Sequence, residues 1–188
     1  IASYESRVYY NNASGSIIDA TDWVSTDYQD ILTNDGDFIT ALAVLKGRLY
    51  TFKRHSIHRW TYVGGDVLFS VKAAVSNVGT ISSKSVVNLT HPKYGDVLVF
   101  LAPDARFYMF DGSAIIPIST KIETDNGVSE FNLSKLNRDY LNEACAADYQ
   151  AKHWYVCAVP TGATNDWVVV WNYYTDSWWP FDMNIFAM

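Results

Sequence analysis

The stretch DFITALAVLKGRLYTFKRHSIHRWTYVGGDVLFSVKAAV, Asp37 to Val75, constrains the fold more than any other part of this chain. It holds four short apolar runs separated by turn chemistry. Ile39 to Val44 is the first, followed by a turn at Lys46-Gly47. Arg48 to Lys53 is the second, followed by a polar connection at Arg54-His55. Ser56 to Tyr62 is the third, ended by Gly64-Gly65-Asp66, and Val67 to Val75 is the fourth. Apolar and β-branched runs of this length, punctuated by Gly and Asp, are strands of an antiparallel meander. Four such strands in so short a segment make one blade-sized sheet, the repeating unit of a β-propeller.

The rest of the chain can be laid against this template. A second blade runs over residues 84–120. Its strands are SVVNLT, DVLVFLA, RFYMF and AIIPIS, with a tight turn at Asp111-Gly112 before the last. A third blade spans 142–183, with EACAADYQ, HWYVCAVP, WVVVWNY and SWWPFDM as its strands, and NIFAM trails off as the start of another. Pro117 and Pro180 fall inside the fourth runs. Proline cannot donate to a ladder, so both positions read as outer edge strands. Residues 1–33 supply only part of a blade. ESRVYY matches a third strand, Gln29 to Leu32 a fourth, and the polar stretch between them reads as a long loop with Trp23 as an apolar anchor. The third-strand endings Tyr10, Trp60, Phe110 and Trp171 are 50 residues apart twice, and the third gap is longer by roughly the segment 121–141. There Leu133, Leu136, Tyr140 and Leu141 recur at helical spacing with Asn132 as a cap, which predicts one short inserted helix covering an end of the fold. The expectation is an all-β propeller or propeller fragment of four-stranded antiparallel blades, about three and a half in number, forming a single domain over 1–188. Closed propellers have more blades. The half blade therefore predicts either a homo-oligomer or part of a longer chain, in keeping with a sequence that lacks an initiator Met.

Composition removes several classes. The formal net charge of −6 argues against a general nucleic-acid binder. No apolar run reaches the roughly 18 residues of a membrane helix. Cys145 and Cys157 fall on neighbouring predicted strands, where they can face each other. A single pair is no disulfide framework, and two reduced thiols are the simpler reading.

Chemistry is sparse. No G-x-S-x-G, H-E-x-x-H, P-loop or Rossmann glycine pattern occurs, and His55, His58, His91 and His153 are scattered over different units. Catalytic residues, cofactor and metal ligands are accordingly assigned to none. Asn34-Asp35-Gly36-Asp37 is a turn rather than a calcium loop, since the ligand series stops at Asp37. The densest basic cluster is Lys53, Arg54, His55, His58 and Arg59. It is a candidate interaction hairpin for phosphate, including DNA, or for an acidic partner. The plainer reading is a solvated hairpin, because side chains alternate across a strand. Trp178-Trp179 has the chemistry to stack on sugar rings, but neighbours on a strand point to opposite faces, so at most one is free.

With these residues in view, DGDFITALAVLKGRLYTFKRHSIHRW resembles the propeller segment of tailed-bacteriophage virion proteins of the tail-hub, nozzle and packaged-DNA-stabilisation kind. The likeness is carried by Asp37 to Leu42, Gly47 to Lys53 and Ser56 to Arg59. Val97 to Ser119 is similar to the following blade and Val168 to Phe181 to the last. The motifs are structural and bring no catalytic residue. The resemblance implies a non-enzymatic structural component of the phage tail, a tail- or portal-proximal module assembled in the host cytoplasm with other virion proteins into a ring. The competing class is a carbohydrate-binding propeller of a secreted or adhesion protein. A glycosidase or lyase is the third, and would need convergent carboxylates in the channel.

Overall fold

The computed structural model describes residues 6–10, 27–33, 36–64, 68–123 and 131–183. Three four-stranded antiparallel sheets and one two-stranded sheet account for its strands. The first full sheet contains β3 (Ile39–Leu45), β4 (Arg48–Lys53), β5 (Ser56–Tyr62) and β6 (Phe69–Ser76). The second contains β7 (Val87–His91), β8 (Gly95–Leu101), β9 (Phe107–Phe110) and β10 (Ile115–Pro117). The third contains β11 (Cys145–Tyr149), β12 (Trp154–Pro160), β13 (Asn165–Asn172) and β14 (Ser177–Asp182). Each is a meander in strict chain order. Ahead of them β1 (Arg7–Tyr9) pairs antiparallel with β2 (Tyr28–Asp30).

The strands expected at 37–76, 84–120 and 142–183 are therefore present. Pro117 and Pro180 both lie on edge strands, where a missing N–H leaves no partner stranded. The loop carrying Trp23, Asn34-Asp35 of the expected turn, Gly65-Asp66, and NIFAM lie outside the described residues.

Alternation explains the stacking. Along β8, Val97, Val99 and Leu101 join one core cluster with the third sheet, while Leu98 and Phe100 join another with the first. All five are at most 1% exposed. Burying side chains of this size contributes about 1.5–3 kcal/mol each before chain entropy is counted, so this one strand ties both neighbours to the middle sheet. A strand covered on both faces has no polar side, which is why VLVFL is an unbroken apolar run. β3 lies against β7 and β8, and β7 against β11, so the sheets approach one another at their first strands. The third-strand aromatics repeat as well. Trp171 stacks on Trp178 and His91 at the second interface (6.0 and 5.9 Å), and Phe110 meets Tyr50 edge-on at the first (5.1 Å). Trp60 meets Phe69, itself in contact with Tyr10 beside β1. In each case the aromatic faces the preceding sheet.

The insert forms 3₁₀ turns where one short helix was expected. The described part contains Leu133–Lys135 and Arg138–Glu143. Asn132 caps the first, accepting from the Ser134 N–H, and Asn137 caps the second in the same way. Leu133, Leu136 and Leu141 are buried against the third sheet, while Tyr140 is exposed. Cys145 and Cys157 do lie on neighbouring strands, but each pairs with an alanine and they project from opposite faces, so both are free thiols. No helix among the described residues is long and apolar enough to cross a membrane.

Candidate functional site

In a meander, the first strand starts at the end where the second strand stops. The β4–β5, β8–β9 and β12–β13 turns therefore share one end of the molecule with the linkers that enter β3, β7 and β11. The basic hairpin has its tip at this end.

Its five residues do not form one surface. Lys53 is fully buried, its Nζ donating to Thr33 Oγ1 (2.9 Å) and to the Asp37 carbonyl (3.1 Å). His58 is buried beside Ser56, with Nε2 and Oγ 3.0 Å apart. Arg59 pairs with Tyr50 on the opposite face and lines a separate cleft with Arg48, Leu49 and Trp60. Only Arg54 and His55 remain together, at the turn. Alternation across β4 and β5 accounts for the dispersal.

The turn is held from outside. Asp37, just before β3, aims its carboxylate at three backbone N–H groups. Oδ1 accepts from Phe38 (2.9 Å) and Arg54 (3.2 Å), and Oδ2 accepts from His55 (2.9 Å). The His55 ring lies 3.5 Å from Oδ2. The Arg54 guanidinium stacks over Phe38 at 4.7 Å. Its Nε is buried without a hydrogen-bond partner, and Arg54 enters no ion pair among the described residues.

The linker into β7, SNVGTISSKS, exposes Ser76, Asn77, Ser83 and Lys84 but buries polar residues between them. Thr80, Ser82 and Ser85 are at most 2% exposed. The Thr80 N–H donates to the Lys53 carbonyl (3.0 Å), and its hydroxyl to that of Leu101 (2.9 Å). Ser82 Oγ donates to the Ala144 carbonyl (2.6 Å), and Tyr155 OH to that of Ser85 (2.9 Å). One linker thus bonds to all three sheets or their entry segments. Sequence reasoning missed these residues, because a Ser/Thr-rich run looks the same whether water or carbonyls satisfy its hydroxyls.

Elsewhere, burial pushes the Asp148 carboxyl upward, against the opposing hydrogen bond from Tyr173 OH (3.1 Å). Among the described residues, no three His, Cys, Asp or Glu side chains gather as a metal site would require. Trp178 turns inward, its indole N–H donating to the Ile118 carbonyl, and Trp179 turns outward. No protein-family model matches the chain, and no curated protein matches it.

Proposed function

We propose that this chain is a non-enzymatic structural module of a tailed-phage virion, a propeller-type fan of sheets that assembles with further copies of itself. The virion assignment rests on the resemblance of the Asp37–Arg59 segment. Stacked four-stranded meanders that approach one another at their first strands support the propeller reading.

The observation that carries assembly is the outward face of the third sheet. Tyr155, Cys157, Val169 and Trp171 point into the core, so the alternate positions point away. These include Tyr149, Trp154, Val156, Val170, Trp179 and Phe181. Tyr149, Trp179 and Phe181 are 50%, 41% and 48% exposed. Half-exposed aromatics leave roughly 100 Å² each in water. With Trp154 beside them (5.9 Å from Tyr149 and 6.3 Å from Trp179) the patch reaches the few hundred Å² that mark an interaction surface. The two apolar interfaces among the four-stranded sheets are each formed by one such sheet on another, and a sheet from a second copy is the matching occupant here.

The same aromatics favour the carbohydrate-binding reading as the alternative. Sugar recognition also needs polar groups to orient hydroxyls; on this face Asn172 and Ser177 lie at one end beside Trp154, and the Asn172 side-chain carbonyl oxygen already accepts from the Tyr174 and Thr175 N–H groups. Light scattering with electron-microscope class averages tests assembly. Association into a ring or disc that Trp179→Lys disperses is the expected result. A monodisperse monomer at high concentration refutes it, and glycan binding by that monomer would support the alternative. The virion assignment has its own test, which is antibody labelling of tails on phage particles that carry the gene.

A further inference from the structure

The exposed large apolar side chains of the described residues collect mainly at the two ends of the three-sheet stack, and among them none lies on a strand of the second sheet. One end is the outward face of the third sheet. The other is the side of the first sheet that turns away from the second. There Leu42 and Val44 on β3 are 52% and 57% exposed, and Tyr9 on β1 is 41% exposed. We infer that this second end is the receiving face for the third sheet of another copy, so that copies join head to tail. The inference rests on the assembly reading above and deepens it, adding the partner surface and the polarity of the contact. It is independent of the virion assignment.

The first sheet is built to be covered on both sides. Ala41, Ala43 and Leu45 pack toward the second sheet, so Leu42 and Val44, which alternate with them, point away. Leu42 pairs with Thr51 and Val44 with Leu49, which places all four on one face. A strand facing water on one side is polar there, whereas the run ALAVL is apolar on both sides, like β8. The two-stranded sheet covers this face only in part. Ile31 is 4% exposed, and Tyr10 meets Phe69 of β6 edge-on at 5.0 Å, so β1 and β2 lie toward the outer strands. Tyr9 and Tyr28 pair on their far side, with Arg7 stacked on the Tyr28 ring at 3.5 Å and bonded to Asp30. Leu42 and Val44, on the innermost strand, stay bare.

Polarity follows from the interfaces inside the chain. Each joins two different faces. β8 offers Leu98 and Phe100 to the preceding sheet and Val97, Val99 and Leu101 to the following one. Phe110 and Trp171 both turn to the preceding sheet, and Trp60 turns the same way with only the two-stranded sheet before it. Continuing that order sets the outward face of the third sheet against the Leu42 face of the next copy. The fan shape admits this contact. Sheets approach one another at their first strands, so a pair of outer strands fills the wide part of the wedge and leaves β3 open to a partner's first strand. That strand is β11, which ends in the half-exposed Tyr149. Tyr149 and Val44 both lie at the end of the molecule away from the linkers, so the two apolar positions come level. Two third sheets packed face to face would instead leave Leu42, Val44 and Tyr9 in water. A contact between unlike faces is heterologous and repeats into a ring or a filament.

Sedimentation velocity over a range of concentrations tests this with one variant for each face. Trp179→Lys blocks the outward face of the third sheet and Leu42→Lys blocks the receiving face, with Val44→Lys as a second receiving variant. All three sites are at least 41% exposed, so the folded chain tolerates the charge. Circular dichroism checks that each variant keeps the wild-type spectrum and Tm. Wild-type protein should associate as concentration rises, and each variant alone should associate at least about tenfold more weakly, because a buried unpaired ammonium is costly. An equimolar mixture of Trp179→Lys and Leu42→Lys retains one intact face of each kind, and should form a heterodimer that grows no further. If both receiving variants associate like wild type while Trp179→Lys does not, the head-to-tail polarity is overturned and the assembly reading stands. A mixture that stays monomeric, or a wild-type protein that stops at a closed dimer, also overturns the polarity. Wild-type protein that is monomeric at every concentration overturns the assembly reading and this inference together.

Discussion

Gly79 is the position where one added methyl group should do the most damage. A Cβ built there lies 1.9 Å from the Lys53 carbonyl oxygen and 2.9 Å from both the carbonyl carbon and oxygen of Arg54. Ordinary contact begins near 3.4 Å, so the two backbones must separate by roughly 1.5 Å. No side chain is available to rotate out of the way. That displacement breaks the 3.0 Å bond from the Thr80 N–H to the Lys53 carbonyl and strains the 2.9 Å bond from the Thr80 hydroxyl to Leu101. Overpacking costs about 1–3 kcal/mol, and each lost hydrogen bond adds about 1 kcal/mol. Gly79→Ala should therefore cost about 3–5 kcal/mol, a large share of the roughly 5–15 kcal/mol that stabilises a typical domain.

Thermal and urea unfolding followed by circular dichroism measure this. For a chain of this length each kcal/mol lowers Tm by about 2–4 °C, so a fall of roughly 6–20 °C is expected. Gly47→Ala is the control. Its φ is +71° but nothing lies within 4 Å of its Cβ, so only the left-handed penalty of about 1–2 kcal/mol applies. If Gly79→Ala shifts Tm by less than about 3 °C, or by no more than Gly47→Ala, the linker does not press on the β4–β5 turn and the reasoning fails.

Two further outcomes follow from burial. Burial and the neighbouring Asp148 push the Tyr173 hydroxyl up to about 12, and burial drives Tyr155 and Tyr108 upward as well. In the unfolded chain these groups lose their protons near pH 10, while the folded protein retains them, so from pH 10 to about 12 the folded state binds more protons and stability falls as pH rises. Urea midpoints across that window should decline, and phenolate absorbance should show a late-titrating class that unfolding abolishes; simple titration of every tyrosine near pH 10 in the native protein would contradict this. Cys157 is fully buried with its thiol pushed upward by burial, whereas Cys145 is partly exposed on the opposite face. A thiol reagent should label Cys145 alone until the protein unfolds, and mild oxidation of the monomer should form no internal disulfide; equal labelling of both, or an intramolecular bridge, would contradict the strand register.

Much of the fold is legible in the sequence because strands announce themselves locally. The run VLVFL has no polar side, so it must be covered twice, and β8 is. Pro117 and Pro180 can sit only at edges, and they do. The insert was legible in part. Leu133, Leu136 and Leu141 bury at the expected intervals, but that spacing also suits successive 3₁₀ turns, each with its own Asn cap. The candidate site was least legible. Lys53 belongs to a basic run, and its burial depends on Thr33 and the Asp37 carbonyl, groups 20 and 16 residues earlier. Nothing local distinguishes it from Arg54, its exposed-looking neighbour.

The polar residues of the entry end bear on what kind of object this is. Apolar faces attract without direction, so three sheets held by side-chain packing alone have several offsets of similar energy. Buried hydrogen bonds remove that freedom, because a displaced sheet leaves hydroxyls and carbonyls unpaired at about 1–3 kcal/mol each. Thr80 ties the first sheet to the second, and Ser82 and Ser85 tie the second to the third and its entry segment. At the β12–β13 turn of the third sheet, Asn165 Nδ2 donates to the Glu143 carbonyl (2.7 Å), and the Asn137 N–H to that of Pro160 (3.0 Å). Each sheet is thus keyed to a linker rather than only pressed against its neighbour. A body whose sheet angles are fixed in this way presents its outer apolar face in one orientation. Repeated assembly through that face requires such constancy, and a fan free to flex would not close in register with another copy.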